Sequence, residues 1–214
     1  MEKIKLIGIS GKAQSGKDTA AVMIQQIALG YTKPYIYRPR THAFTNLHQS
    51  GWYVERFANN VKKVASLLLG CPIEKFEDGK FKESYLGKEW NRDGKRMTVR
   101  EFLQRIGTDA LREGLHKDVW VNSLLAKLDA EPNLKWIIPD VRFPNELDAI
   151  KSRGGVVIRI NRIKSLGHRP VNLAEHESET ALDSAQFDYT MTVSNLSDLY
   201  DSVKIFCQDI NIIK

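Results

Sequence analysis

Residues 4–21 read IKLIGISGKAQSGKDTAA, and the fold turns on this stretch. Ile4 to Ser10 is a short apolar run ending in small residues, as expected of a strand buried in a sheet. Residues 17–29 then place Ala20, Ala21, Ile24 and Ile27 on one face at helical spacing. Between strand and helix, Gly11-Lys12-Ala13-Gln14-Ser15-Gly16-Lys17 fits the G-x-x-x-x-G-K part of the Walker A pattern. Glycines let the backbone turn so that amides point inward at phosphate oxygens, and the following helix offers its positive end. Lys17 supplies a point charge for the outer phosphates. Asp18 stands where the pattern has a Mg²⁺-binding Ser or Thr, and Thr19 follows. A carboxylate either binds the ion, directly or through water, or simply favours the helix start.

Working outward, the chain alternates strand and helix signals. Residues 30–51 carry no clear period and read as a surface excursion. A strand is predicted at 53–58 and a helix at 60–69, stopped by Gly70 and Pro72. Thr98 and Glu101 form a capping box for a helix whose buried stripe is Val99, Phe102, Leu103 and Ile106. A helix at 118–130, a strand at 135–141, a helix at 145–152, strands at 156–161 and 189–194, and a closing helix at 196–207 complete the series. Such alternation implies a parallel α/β sheet with right-handed crossovers. The basic, Gly- and Pro-containing segment 162–175 reads either as a lid or as a plain surface loop.

With 214 residues, 42% hydrophobic and 27% charged, the composition is that of a globular chain and excludes a disordered or fibrous one. No apolar run approaches the roughly 20 residues of a membrane span, so a cytoplasmic protein without a membrane partner is expected. Cys71 and Cys207 have no metal or redox spacing. A net charge of +6 points to an anionic partner; the basic residues are scattered, which suits a lined pocket better than a nucleic-acid-binding arm.

The loop alone does not separate a kinase from an ATPase or a switch. A kinase needs further cations to align an acceptor with the transferred group. Lys62 follows the second predicted strand, while Asp140, Arg142, Asn145 and Glu146 follow the third. Trp120 is either a core residue or a platform for a base.

Taken together, SGKAQSGKDTAA at 10–21, FANNVKKVASLLLG at 57–70, TVREFLQRIGTDALR at 98–112, DVW at 118–120, WIIPDVRFPNELDAI at 136–150, GGVVIRINR at 154–162, HESE at 176–179 and SNLSDL at 194–199 resemble the bacteriophage deoxynucleoside monophosphate kinases. The GKD variant of the loop is typical of that family. The resemblance implies a three-layer P-loop fold with about five parallel strands, a helical acceptor-binding insertion and a short lid. It places the whole chain, 1–214, in one kinase domain, with 30–52 and 71–117 as insertion and 162–175 as lid. It also implies transfer of the γ-phosphoryl group of ATP to a deoxynucleoside monophosphate, with Mg²⁺ as cofactor, and it leaves a homodimer open.

By the same resemblance, Gly11, Ala13, Ser15, Gly16, Lys17, Asp18 and Thr19 hold ATP, with Asp18 toward the metal. Lys62, Arg100, Gly107, Thr108, Trp120, Asp140, Arg142 and Glu146 surround the acceptor. Lys17, Arg142, Asp140 and the lid cations Arg162 or Arg169 serve the transfer itself. The alternatives are a phosphomevalonate-kinase-like enzyme, suggested by the GTD and SE segments, and a nucleic-acid-stimulated P-loop ATPase. A non-catalytic nucleotide sensor is a third.

Overall fold

The computed structural model describes residues 4–33, 47–163 and 180–213. The chain divides into two compact units, one formed by Met1–Glu55 with Ala130–Lys214 and the other by Arg56–Asp129.

The first unit is built on a sheet of five strands, all parallel, in the order β2-β3-β1-β4-β5. These are β1 (Leu6–Ser10), β2 (Trp52–Val54), β3 (Lys135–Val141), β4 (Val156–Arg162) and β5 (Tyr189–Val193). Every residue of β1 is buried, as its central place and apolar run require. Helix α1 (Lys17–Ala28) and the closing helix, Leu196–Asp209, pack together in one cluster with Ile7, Ile9, Ile137 and Ile158 of the sheet. The helix Pro144–Lys151 lies on the opposite face, where Ile150 comes so close to Gly8 that a Cβ there would stand 2.8 Å from its Cδ1. Gly8 is thus small because strand and helix need that approach, and the three layers of helix, sheet and helix follow from it.

Pro139 lies inside β3, a strand with neighbours on both sides, where proline costs a ladder hydrogen bond. The pairing explains it: Gly8 lies opposite Ile138 but Ser10 opposite Val141, so the register shifts and one extra residue of β3 sits across from Ile9. A bulge of this kind is where a strand tolerates proline and where a side chain is re-aimed. The residue beside it is Asp140.

The second unit comprises α2 (Phe57–Leu69), a 3-10 turn at Ile73–Glu77, α3 (Gly79–Glu83), a second 3-10 turn at Lys88–Trp90, α4 (Val99–Gln104), a π-helical stretch at Arg105–Glu113 and most of α5 (Val119–Ala130). Its core is Ala65, Phe76, Val99, Phe102 and Ile106, with Trp90 edge-on to Phe102 at 4.8 Å. The Thr98 and Glu101 capping box is present on both sides. With these named, Pro144–Lys151 is α6 and Leu196–Asp209 is α7.

Two sequence expectations change. The strand predicted at 53–58 covers only Trp52–Val54, because Phe57 already opens α2 with the extended Arg56 as its N-terminal flank. The helix predicted from Thr98 through Ile106 stays α-helical only to Gln104; Ile106 is still buried, but in the π-helical stretch. The helix-ending role of Gly70 is as expected, in a left-handed conformation at φ 59°. The proposed lid lies outside the described residues apart from Arg162 and Ile163.

Candidate active site

The carboxyl ends of β1, β3 and β4 adjoin one another at the centre of the sheet, the position at which open α/β sheets bind ligands. There β1 leads directly into the glycine-rich loop. Gly11, Gln14 and Gly16 all have positive φ, at 153°, 61° and 100°. A side chain at Gly11 has no room: its Cβ would lie 2.5 Å from Ser15 Oγ and 2.6 Å from the Ile160 carbonyl. The loop therefore closes on itself tightly, with the Ser15 amide donating to the Lys12 carbonyl at 3.1 Å. Beneath it the Ser15 hydroxyl is buried and has no hydrogen-bond partner among the described residues. Helix α1 starts at Lys17 with no side chain capping its first turn and with Asp18 in that turn.

Lys17 is buried, at 9% exposure, and its ammonium donates to the carbonyls of Gly11 at 2.6 Å and Lys12 at 2.8 Å. Lys17 thus folds back over its own loop, with its charge held against two loop carbonyls. Asp18 is exposed, and Thr19 is half-buried.

Two arginines of β4 reach the same region. Arg162 donates to the Gln14 carbonyl at 3.3 Å, so this predicted transfer cation touches the loop. Arg159 belongs to the scattered basic residues and carries no motif of its own. It is 8% exposed, donates to Ser10 Oγ at 3.2 Å and to Asp183 at 2.8 Å, and its guanidinium lies 5.5 Å from the Phe187 ring centroid. Asp183 also pairs with Lys12 of the loop at 3.2 Å. A buried guanidinium needs such partners, and here they tie the end of β1, the loop and β4 together. The readable signal was a lone arginine inside the apolar strand VVIRIN, which calls for a buried acceptor.

At the end of β3, Asp140 and Arg142 are half-buried and Glu146 is buried. Glu146 accepts hydrogen bonds from the amides of Arg142 at 2.7 Å and Phe143 at 3.1 Å. This is the return half of a capping box, in which Glu146 at the third position of α6 reaches back to its start. Glu146 thereby holds the backbone that carries Arg142.

The remaining predicted acceptor residues lie in the second unit. Lys62 has a side chain only 14% exposed and pairs with Glu77 at 2.6 Å. Arg100 pairs with Glu83 through Nη2 at 2.6 Å and Nε at 2.7 Å. Gly107 and Trp120 are brought together, since the indole N–H donates to the Gly107 carbonyl at 2.7 Å. Trp120 also packs against the unit's apolar core. Thr108, like Gly107, is half-buried in the π-helical stretch, an irregularity that is frequent at functional sites.

Among the described residues no three His, Cys, Asp or Glu side chains are grouped to hold a metal. Cys207 is buried in the core, which pushes its thiol up to about 12, so it is no nucleophile.

A strand running into a glycine-rich loop at the centre of a parallel sheet, with the loop followed directly by a helix, defines the P-loop class of α/β fold. A sequence model described as deoxynucleotide monophosphate kinase matches residues 42–203, which leaves the loop itself outside the match. The chain is 29% identical over 171 residues to a putative deoxynucleotide monophosphate kinase of Acanthamoeba polyphaga mimivirus, across 73% of this chain and 74% of that one. It is 24% identical over 184 residues to the deoxynucleoside-5'-monophosphate kinase of Escherichia phage T5, across 68% and 71%. The chain belongs to the deoxynucleotide monophosphate kinase family and is a kinase, an ATP-dependent phosphotransferase acting on nucleoside monophosphates. Membership decides for the nucleotide acceptor over the phosphomevalonate-like and polymer-stimulated alternatives. Among the described residues no helix is long and apolar enough to cross a membrane.

Proposed function

We propose that the loop Gly11–Lys17 holds the triphosphate of ATP for in-line transfer to a deoxynucleoside monophosphate. The observation that carries this is the buried, unpartnered Ser15 hydroxyl beneath a loop whose glycine has no room for a Cβ, with Lys17 folded across it. A buried hydroxyl without a partner is costly, and a phosphate oxygen at the loop supplies an acceptor. The amides of Gly11, Ala13, Gly16, Asp18 and Thr19 would surround the phosphates, and Lys17 would exchange its carbonyl partners for phosphate oxygens. Exchanging neutral acceptors for charged ones strengthens each bond.

Asp18, with Asp140 at the neighbouring strand end, would hold Mg²⁺ through water; the ion supplies charge neutralisation across the phosphates. Arg142, positioned by Glu146, and Arg162, resting on the loop, would stabilise charge on the transferred group. Lys62 and Arg100 suit the acceptor's phosphate, and Trp120 with Gly107 and Thr108 its nucleoside. The acceptor's own phosphate oxygen attacks the γ-phosphorus and the ADP oxygen leaves, so no protein nucleophile takes part. Cytoplasmic location and self-association remain expectations of the same reading.

Turnover of ATP against each deoxy- and ribonucleoside monophosphate tests this, with phosphomevalonate as a control. At least one deoxynucleoside monophosphate should be converted to its diphosphate, and Lys17→Ala should lower that rate by about 100- to 1,000-fold. A Lys17→Ala protein of wild-type rate would remove the loop from the reaction.

A further inference from the structure

Helix α3 lies in the stretch 72–97, which carries no recognisable motif. Asp78 caps it, its carboxylate accepting from the Lys80 amide at 2.8 Å. Phe81 anchors it edge-on to the fully buried Phe76 at 5.6 Å. The neighbouring residue, Lys82, is partly buried. The charged groups that face it are Lys62 from α2, Arg100 from α4, Glu77 from the preceding turn and Glu83 beside it. Both carboxylates are engaged elsewhere, Glu77 by Lys62 and Glu83 by Arg100. Lys82 itself makes no ion pair among the described residues. Burial, and then the two neighbouring cations, hold its ammonium below the ordinary lysine value.

Three cations from three separate elements thus share the two carboxylates Glu77 and Glu83, which leaves one positive charge in excess for an anion to join. Both glutamate side chains are more than 60% exposed, at 69% and 63%, so their release into water costs little. A nucleoside monophosphate carries close to two negative charges at neutral pH, and it offers several oxygens to one guanidinium fork and two ammonium groups. We propose that Lys82 is the third cation, with Lys62 and Arg100, of the site that grips the acceptor's phosphate, and that Glu77 and Glu83 are resident counter-ions which that phosphate displaces. This rests on the reading of Lys62 and Arg100 as acceptor-phosphate residues.

The test is steady-state kinetics of Lys82→Met, Lys82→Arg, Lys62→Met and Arg100→Met with the deoxynucleoside monophosphate turned over fastest in the screen above. Lys82→Met should raise the KM for the monophosphate about tenfold or more while the KM for ATP stays within about twofold. Lys82→Arg should recover most of the loss. Inhibition by the matching deoxynucleoside, which lacks the phosphate, should be unchanged, and the melting temperature of Lys82→Met should hold or rise because a like-charge contact is gone. A structural lysine would lower the melting temperature instead, and that result overturns the proposal. So does an unchanged monophosphate KM in Lys82→Met when Arg100→Met raises it, which leaves the acceptor reading standing. If none of the Met variants moves that KM, the acceptor reading of this unit fails with it.

Discussion

The glycine loop of the first unit and the cation cluster of the second are both suited to phosphate, and they are built in opposite ways. The loop is backbone: Gly11, Gln14 and Gly16 all have positive φ, and its lysine lies at the first residue of the helix that follows. The cluster is side chain: Lys62, Lys82 and Arg100 come from three separate helices, and ion pairs hold two of them, Lys62 with Glu77 and Arg100 with Glu83. A backbone cradle has fixed geometry and does not distinguish one nucleotide from another, because every triphosphate presents the same oxygens. A cluster of long side chains is adjustable, and it can differ from one acceptor to the next. The sheet behind the loop reinforces this contrast, since β1 is wholly buried while α3 and the turns around it are largely exposed.

The sharpest way to break the comparison is Gly11→Ala. If the cradle is rigid backbone, the added methyl meets Ser15 and the Ile160 carbonyl, neither of which can yield without moving the loop. ATP binding measured by calorimetry should be lost, and stability should fall by about 1–3 kcal/mol for the strained conformation. Wild-type ATP affinity in this variant would show that the loop adjusts after all.

A smaller effect separates the two substrates. Arg142→Ala should reduce kcat/KM for the monophosphate by about tenfold to a hundredfold, the loss of a charged hydrogen bond, with ATP affinity nearly unchanged. Equal weakening of both would move Arg142 into the ATP site.

The smallest concerns the frame of the second unit. The carboxylate of Glu101 is held below the usual range, first by the Thr98 amide and then by its hydroxyl. A depressed carboxylate contributes stability above its unfolded value and loses it as pH falls through the folded one. Glu101→Gln should therefore lower the melting temperature by a few degrees at pH 7. The deficit should shrink below about pH 4, as followed by circular dichroism. A deficit independent of pH would mean the carboxylate's charge is not what caps α4.

The periodicity of residues 4–29 and the strand signals at 53–58, 135–141, 156–161 and 189–194 determined the α/β class and a parallel sheet of about five strands, because hydrophobic spacing and glycine placement are local properties. For the same reason the glycine-rich turn before α1 and the Thr98 capping box were legible: their residues are neighbours in the chain. The tertiary structure alone decided that Pro139 sits at a bulge opposite Ile9, that Glu146 supports the backbone of Arg142, that Arg159 and Asp183 brace the loop, and that Lys82 feels the charges of Lys62 and Arg100. In each of these, apart from Glu146, the partners lie far apart in sequence. Their meeting depends on how strands register and helices pack, and no local pattern of residue types encodes it.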